Sequence, residues 1–382
     1  MLVAQNSKNE YIHLASQNWT KDQLQNLKKE DSFQCPACKS PVKLKAGKVR
    51  IPHFAHISNQ KCLVDSEPES MYHLKGKVQL FHWLKKQEIP CELEKYFPSI
   101  KQRADLFVDK YPIEYQCSQI PVEQIQARTR GYQNENNIPI WILGSKLLSR
   151  NKSMEYRLTP FHWQFTRLDK EGQPFLLTYC SSLQSFILLQ KIIPFTKQIF
   201  FAETTLFPLN QLTISQILIP PKLCPSAAFY QMWLKKVHLF RQTPKSFRSK
   251  REKMLQSLIY ESYGIPLTLL PSEAFIPLKE GWKIEEAVYV WQSLVLVTIE
   301  KLQDKVFHLR KIKWYLNRYV GTLVTRQEDM ERVLKQYLDF LVKVKLLDSI
   351  GPFSYRKKMP IFRQQHIEQL MKNDIRLKEM YS

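Results

Sequence analysis

An α/β fold is predicted, with a mixed-sheet core over residues 66–150, a small α+β module over 1–65 and a mainly α-helical, basic region over 151–382. Three observations predict it. Between 66 and 144 the apolar pattern runs helix, three strands, helix, strand, the order of helices packed on a mixed sheet. Residues 1–62 hold cysteines and histidines among short strand-like runs and turns. Beyond residue 226 apolar residues recur at helical spacing.

The chain carries 57 Lys+Arg against 35 Asp+Glu, a net charge of +22. An excess that large points to a polyanionic partner, either nucleic acid or an acidic membrane surface. No apolar run approaches the roughly 18 residues that span a bilayer, and the N-terminus turns polar after Ala4, unlike a secretory signal. The seven cysteines are odd in number and clustered early, which fits reduced thiols and a metal site better than a disulfide framework. A cytoplasmic location is therefore expected. Neither G-x-x-x-x-G-K-[ST] nor G-x-G-x-x-G occurs, so phosphate-cradling glycine loops are set aside.

The N-terminal module is read around Cys35-Pro36-Ala37-Cys38, a turn that presents two thiolates together. Zinc takes four tetrahedral N/S ligands, and His53, His56 and Cys62 offer the remainder. Five candidates compete for four places; Cys35, Cys38, His56 and Cys62 are favoured, with His53 as the alternate. Filled by protein alone, such a Zn²⁺ site is structural. Reduced thiols beside unrelated histidines would give the same letters.

A helix is expected over 66–86. Glu69, His73 and Lys77 recur every four residues and share one face, while Leu74, Val78 and Phe81 share another and pack on the sheet. Strands are expected at 91–97, 103–109 and 112–118. In the last, Ile113, Tyr115 and Cys117 point one way and Glu114, Gln116 and Ser118 the other. The short gap at 109–111 suits a hairpin that brings Asp105 near Glu114. Two hard oxygen ligands there suit Mg²⁺ or Mn²⁺, with Glu69 and Lys77 supporting the metal or a phosphate from the helix. A bound divalent ion activates water and stabilises charge on phosphate oxygens, the chemistry of phosphodiester hydrolysis. Asp105…Glu114-Tyr115-Gln116 is similar to the PD-(D/E)xK nuclease pattern, and hence to a restriction-endonuclease-like mixed sheet, with Gln116 where lysine is usual. Gln116 can orient a water but brings no charge, which leaves Lys77 to supply it. Pairing of Asp105 with Arg103, or a solvated edge-strand face at Glu114 and Gln116, fits the same residues without chemistry.

A helix over 121–136 places Arg128 and Arg130 where they could contact a DNA backbone, and a strand at 138–143 ends at Gly144. In the C-terminal region Lys235, Lys236, Arg248, Lys250 and Arg251 form the densest basic run, a candidate DNA contact. Trp233 and Phe240, seven apart, fit the core face of the same helix. Helices at 284–303, 305–319 and 326–345 followed by a basic hairpin over 345–358 suggest a winged helix. Cys91, Cys117, Cys180 and Cys224 are expected to be small buried hydrophobes.

Taken in order, Phe33 to Cys38, His53 to His56, Glu69/His73/Lys77, Arg103/Asp105, Ile113 to Ser118, Arg128/Tyr132 and Trp141 to Leu143 resemble the CoiA-like competence protein family. The resemblance covers roughly residues 30–145. It implies a zinc-binding-like segment joined to a nuclease-like domain, acting in the cytoplasm on single-stranded or branched DNA during natural transformation. It implies cooperation with a recombinase, and it places Asp105, Glu114 and Gln116 on catalytic positions with Glu69 as the helix acid. A metal-dependent nuclease and a non-catalytic DNA-binding mediator both remain open at this point.

Overall fold

The computed structural model describes residues 1–16, 19–30, 32–47, 51–57, 62, 69–222, 226–243, 249–320, 327–363 and 366–381. Arg248 and Cys224 lie outside them. Among the described residues no helix is long and apolar enough to cross a membrane.

The N-terminal module is an antiparallel five-stranded sheet with one helix. Its elements are β1 (Val3–Gln5), β2 (Tyr11–His13), α1 (Lys21–Glu30), β3 (Phe33–Gln34), β4 (Pro41–Lys45) and β5 (His53–His56), with strands ordered β2-β1-β3-β4-β5. Val42, Leu44 and Phe54 close its core with Phe33 and Leu24. The alternation of β4, with Val42 and Leu44 buried between exposed neighbours, is what one covered sheet face requires.

The central layer begins with α2 (Met71–Lys86). It starts later than the sequence suggests, because the Ser70 side chain accepts from His73 N–H and caps it; Glu69 therefore stands just ahead of the first turn. The expected strand 91–97 is split into β6 (Glu92–Leu93) and β7 (Tyr96–Phe97), and 103–109 into β8 (Gln102–Arg103) and β9 (Leu106–Val108). Then come β10 (Tyr111–Gln116), α3 (Val122–Asn134) and β11 (Ile140–Gly144). The sheet continues past residue 150 through β12 (Ser149–Lys152), β13 (Glu155–Arg157), α4 (Pro160–Trp163), β14 (Thr166–Leu168), β15 (Pro174–Cys180), β16 (Ser185–Pro194) and β17 (Ile199–Pro208). Its order among the described residues is β12-β13-β17-β16-β15-β11-β10-β9-β6, with β14 also on β15. β10, β11 and β15 are parallel, and β9, β16 and β17 join antiparallel, so the sheet is mixed.

Period-two alternation sorts this sheet into two cores. Ile113, Tyr115, Ile140, Ile142 and Tyr179 lie under α2, while Trp141, Leu143 and Leu176 face α3 and α4. Gly76 makes the first packing possible: a Cβ there would meet Tyr115 Cε1 at 2.1 Å. Tyr115 is fully buried and its hydroxyl donates to the Tyr179 carbonyl, so the ring cannot retreat. Cys180 is buried, and Cys91 and Cys117 are half-buried against the α2-side core.

The remainder comprises α5 (Ile214–Leu218), α6 (Ala227–Gln242), α7 (Lys250–Tyr263), α8 (Val288–Lys301), β18 (Val306–His308), α9 (Leu309–Val320), α10 (Gln327–Lys343), β19 (Leu347–Gly351), β20 (Ser354–Lys357) and α11 (Ile367–Tyr381). Trp233 and Phe240 are buried in its core. The guanidinium of Arg241 on α6 donates to both carboxylate oxygens of Asp374 on α11, at 2.6 and 2.8 Å, which fixes the last helix. The first residues of the expected helix 305–319 instead form β18, which pairs with β20. The succession α8-β18-α9-α10-β19-β20, with a sheet ordered β18-β20-β19, is that of a winged helix.

Candidate metal centres

Two clusters of ligand-type side chains form among the described residues. In the first, Cys35, Cys38, His56 and Cys62 bring their ligand atoms within 4.8 Å of one another. The turn after β3 supplies the first two, and alternation along β5 turns His56 inward. His53 Nδ1 instead lies 2.8 Å from the Ile51 carbonyl oxygen and stays outside the group. Cys38 Sγ lies 3.3 Å from His56 Nε2. Burial pushes the Cys35 thiol up to about 12, whereas for Cys38 burial is outweighed by hydrogen bonds from Ser40, His56 and Cys62, which bring it down to about 6. Three sulfurs and one imidazole, with no carboxylate, are a donor set that fits zinc.

The second cluster joins Glu69, His73 and Asp105, again within 4.8 Å. His73 Nε2 is 3.1 Å from Asp105 Oδ2, and the Tyr115 N–H donates to the same oxygen at 2.9 Å. Behind them sits Lys77, with 0% exposure. Its ammonium donates to Glu69 and to Glu94 Oε1 (2.5 Å) and lies 3.4 Å from Asp105 Oδ1. Three carboxylates thus face the Lys77 ammonium, with the Met1 ammonium 2.5 Å from Glu69 Oε2 and Arg103 4.0 Å from Glu94 Oε2 adding positive charge, and the Glu69–His73–Asp105 side is partly open to solvent. Sequence reasoning missed Glu94. It sits in the left-handed region (φ 55°), a strained conformation for a residue with a side chain, and this breaks the strand it was assigned to. The break is shared: Glu94 N–H donates to the Asp105 carbonyl at 2.9 Å, so both acids are presented by one interruption of the ladder. The other Glu94 oxygen accepts from Leu2 and Val3 N–H at 2.8 and 3.1 Å, tying the N-terminal module to this pocket.

Glu114 is not drawn into that group. It is 3% exposed and accepts from Arg128 Nη2 and the Tyr132 hydroxyl of α3, each at 2.5 Å. The β9–β10 ladder stops at Leu106–Ile113, one pair short of Asp105 and Glu114; the freed Asp105 turns to Tyr115 N–H and α2. Gln116 spends its amide on Ser118, donating to its carbonyl (2.9 Å) and hydroxyl (3.0 Å).

Residues 69–222 match the description "Competence protein CoiA, nuclease-like domain", residues 16–65 its N-terminal domain and residues 229–371 its C-terminal domain. "Competence protein CoiA" of Bacillus subtilis (strain 168) is 34% identical over 365 residues, 92% of this chain and 96% of that protein. The chain belongs to the CoiA family. Both clusters fall inside the matched CoiA segments, the second within the nuclease-like domain.

Charge pairing in this CoiA chain sets the acid–base behaviour of the pocket. Burial would raise Glu69, Glu94 and Asp105, but neighbouring cations hold all three below the ordinary carboxylate range: Lys77 foremost for Glu69 and Glu94, with the Met1 ammonium and Arg103 adding to it, and His73 ahead of Lys77 for Asp105. For Glu114 burial prevails, with Asp105 adding to it, and the carboxyl is pushed up to about 7 despite Arg128. Several of the cations expected to contact DNA are likewise engaged: Lys236 donates to Glu155 (2.8 Å) and Arg251 to Glu286 (2.7 Å). Arg130, Lys235 and Lys250 are exposed.

Two outcomes follow. Purified protein is expected to hold one zinc per chain, lost in Cys62→Ser and kept in His53→Ala, as read by metal content after dialysis; zinc retained by Cys62→Ser would disprove the four-ligand assignment. The second concerns pH. The folded pKa of Glu114 lies above its unfolded value, so its contribution to stability is present below pH 4.5 and lost as pH rises through about 7. The depressed acids act oppositely, draining stability only as pH falls below their unfolded values. Glu114→Gln should therefore flatten the decline of urea-unfolding stability between pH 5 and 7 while leaving the acid limb intact. Equal slopes for the two proteins would refute this.

Proposed function

We propose that this protein is a metal-dependent DNA nuclease-like factor of natural transformation, which processes incoming single-stranded or branched DNA for recombination. The observation that carries the reading is the Glu69–His73–Asp105 group backed by Lys77, in a domain of nuclease-like family. The donor set fits a divalent ion: carboxylate oxygens suit Mg²⁺ and Mn²⁺, and one imidazole is better matched to Mn²⁺. Such an ion, when bound, lowers the pKa of a coordinated water and stabilises charge on phosphate oxygens.

The side chains divide the work. Glu69, His73 and Asp105 would hold the ion, with the His73 ring held by Asp105. Lys77 is sealed from solvent, so it acts on the acids rather than on DNA. With His73, Arg103 and the Met1 ammonium, it favours the ionised form of the three carboxylates, which metal binding requires. Glu114 anchors Arg128, whose guanidinium also lies 5.3 Å from the Trp141 ring centre and is partly exposed. Arg128 and the exposed Arg130 on the same helix would engage backbone phosphates.

A second reading, a DNA-binding mediator that keeps the fold without cutting, is favoured by one observation. No strand-borne lysine stands at position 116, and Gln116 is occupied with Ser118. Incubation with Mg²⁺ or Mn²⁺ on labelled single-stranded, duplex and branched DNA separates the two. Cleavage by the parent protein, lowered at least ~100-fold in Asp105→Ala and Glu69→Ala, is the expected result. DNA binding without cleavage by any of the proteins would favour the mediator.

A further inference from the structure

The winged helix distributes its charge unusually. The second of its two central helices, α10, carries Glu328, Asp329, Glu331 and Asp339 against Arg332, Lys335 and Lys343. Its described cations are also engaged: Lys335 with Asp339 at 2.6 Å and Arg332 with Glu280 at 3.6 Å, while Glu331 takes Lys313 at 2.7 Å. A helix with more acids than bases in its sequence, and with its cations engaged, is poorly suited to lie along phosphates in a duplex groove.

The preceding helix is the reverse. α9 carries Arg310, Lys311, Lys313 and Arg318 and no acid. Leu309, Ile312 and Leu316 are buried, which leaves Arg310, Lys311, Trp314, Asn317 and Arg318 on one solvent face. Among the described residues Arg310 and Arg318 make no ion pair within 4 Å, though the charge of Arg310 is felt by Glu331, and Lys311 lies 3.2 Å from the exposed Asp304. Trp314 is 55% exposed, a large apolar ring amid cations, and Arg318 lies 4.8 Å from its centre. The wing extends the face. Phe353, 43% exposed at its turn, accepts from Leu309 N–H through its carbonyl at 2.9 Å, and its ring neighbours that of His308 at 6.2 Å. Phe353 is thereby fixed beside the first turn of α9, five residues before Trp314, or roughly 7–8 Å along the helix axis.

We infer that α9 and the wing turn form a single-stranded DNA surface on which Trp314 and Phe353 stack bases and Arg310, Lys311 and Arg318 neutralise phosphates. Aromatic faces can stack only on bases that are unpaired, and every base has such a face, so the surface is sequence-tolerant. Guanidinium groups beside the stacking ring add both phosphate contacts and cation–π attraction. The inference rests on the reading that DNA is the partner, and is independent of whether the acidic pocket cuts it.

Fluorescence anisotropy of the full chain with labelled oligo(dT), across a salt series, tests it. Trp314→Ala should weaken binding roughly 5- to 150-fold, the equivalent of one stacked base. Arg310→Glu with Arg318→Glu should weaken it further and lower the salt slope by about 1–2. Arg332→Ala with Lys335→Ala on α10 should leave the dissociation constant unchanged. Binding by the parent protein that is indifferent to the α9 changes, or that is lost on changing α10, would overturn the surface. Absence of oligo(dT) binding by the parent protein would instead overturn the reading of DNA as partner.

Discussion

The ammonium of Lys77, enclosed by Glu69, Glu94 and Asp105, is the contact on which the candidate site depends. The three acids come from different places in the chain: ahead of α2, at the break after β6 and at the break before β9. Without that cation the three would repel one another in a desolvated space, with the Met1 ammonium on Glu69, Arg103 near Glu94 and His73 beside Asp105 left to offset them. The same cluster holds the N-terminal module through the N–H groups of Leu2 and Val3 on Glu94. Gly76 serves the same end by letting α2 approach Tyr115, whose N–H steadies Asp105.

Much of this was legible in the letters. The spacing of Glu69, His73 and Lys77 announced one face, and the three do meet, although Glu69 stands before the helix rather than within it. The order of helix and strands gave the mixed sheet. Glu94 was hidden because its role depends on a left-handed backbone in the middle of a strand-like run, which no periodicity reveals. The Asp105–Glu114 approach is correct in register yet fails at the side chains, because the ladder ends one pair early. The strands β16 and β17 were unreadable for another reason: much of each is buried on both faces, so polar and apolar residues do not alternate cleanly.

Charge distribution links the parts. A net charge of +22 suggests cations freely available everywhere, but many are used internally. Lys77, Arg128, Lys236, Arg241 and Arg251 each meet a buried carboxylate, and they hold helices to the sheet and to one another. Pairs of this kind contribute chiefly by avoiding an unpaired buried charge, so their value lies in specifying arrangement more than in net stability. The solvent-facing cations of α9 stand apart from this pattern, on a helix without a single acid.

Urea unfolding of Lys77→Met, with and without millimolar Mn²⁺, probes the enclosed cation most directly. Removal of the ammonium should cost about 3–5 kcal/mol, because three carboxylates lose their common partner. Mn²⁺ should restore part of that loss, and restore more in the variant than in the parent protein, since an ion entering the acidic pocket takes over the missing charge. A variant within ~0.5 kcal/mol of the parent and indifferent to Mn²⁺ would mean that the acids do not converge on a cation at all.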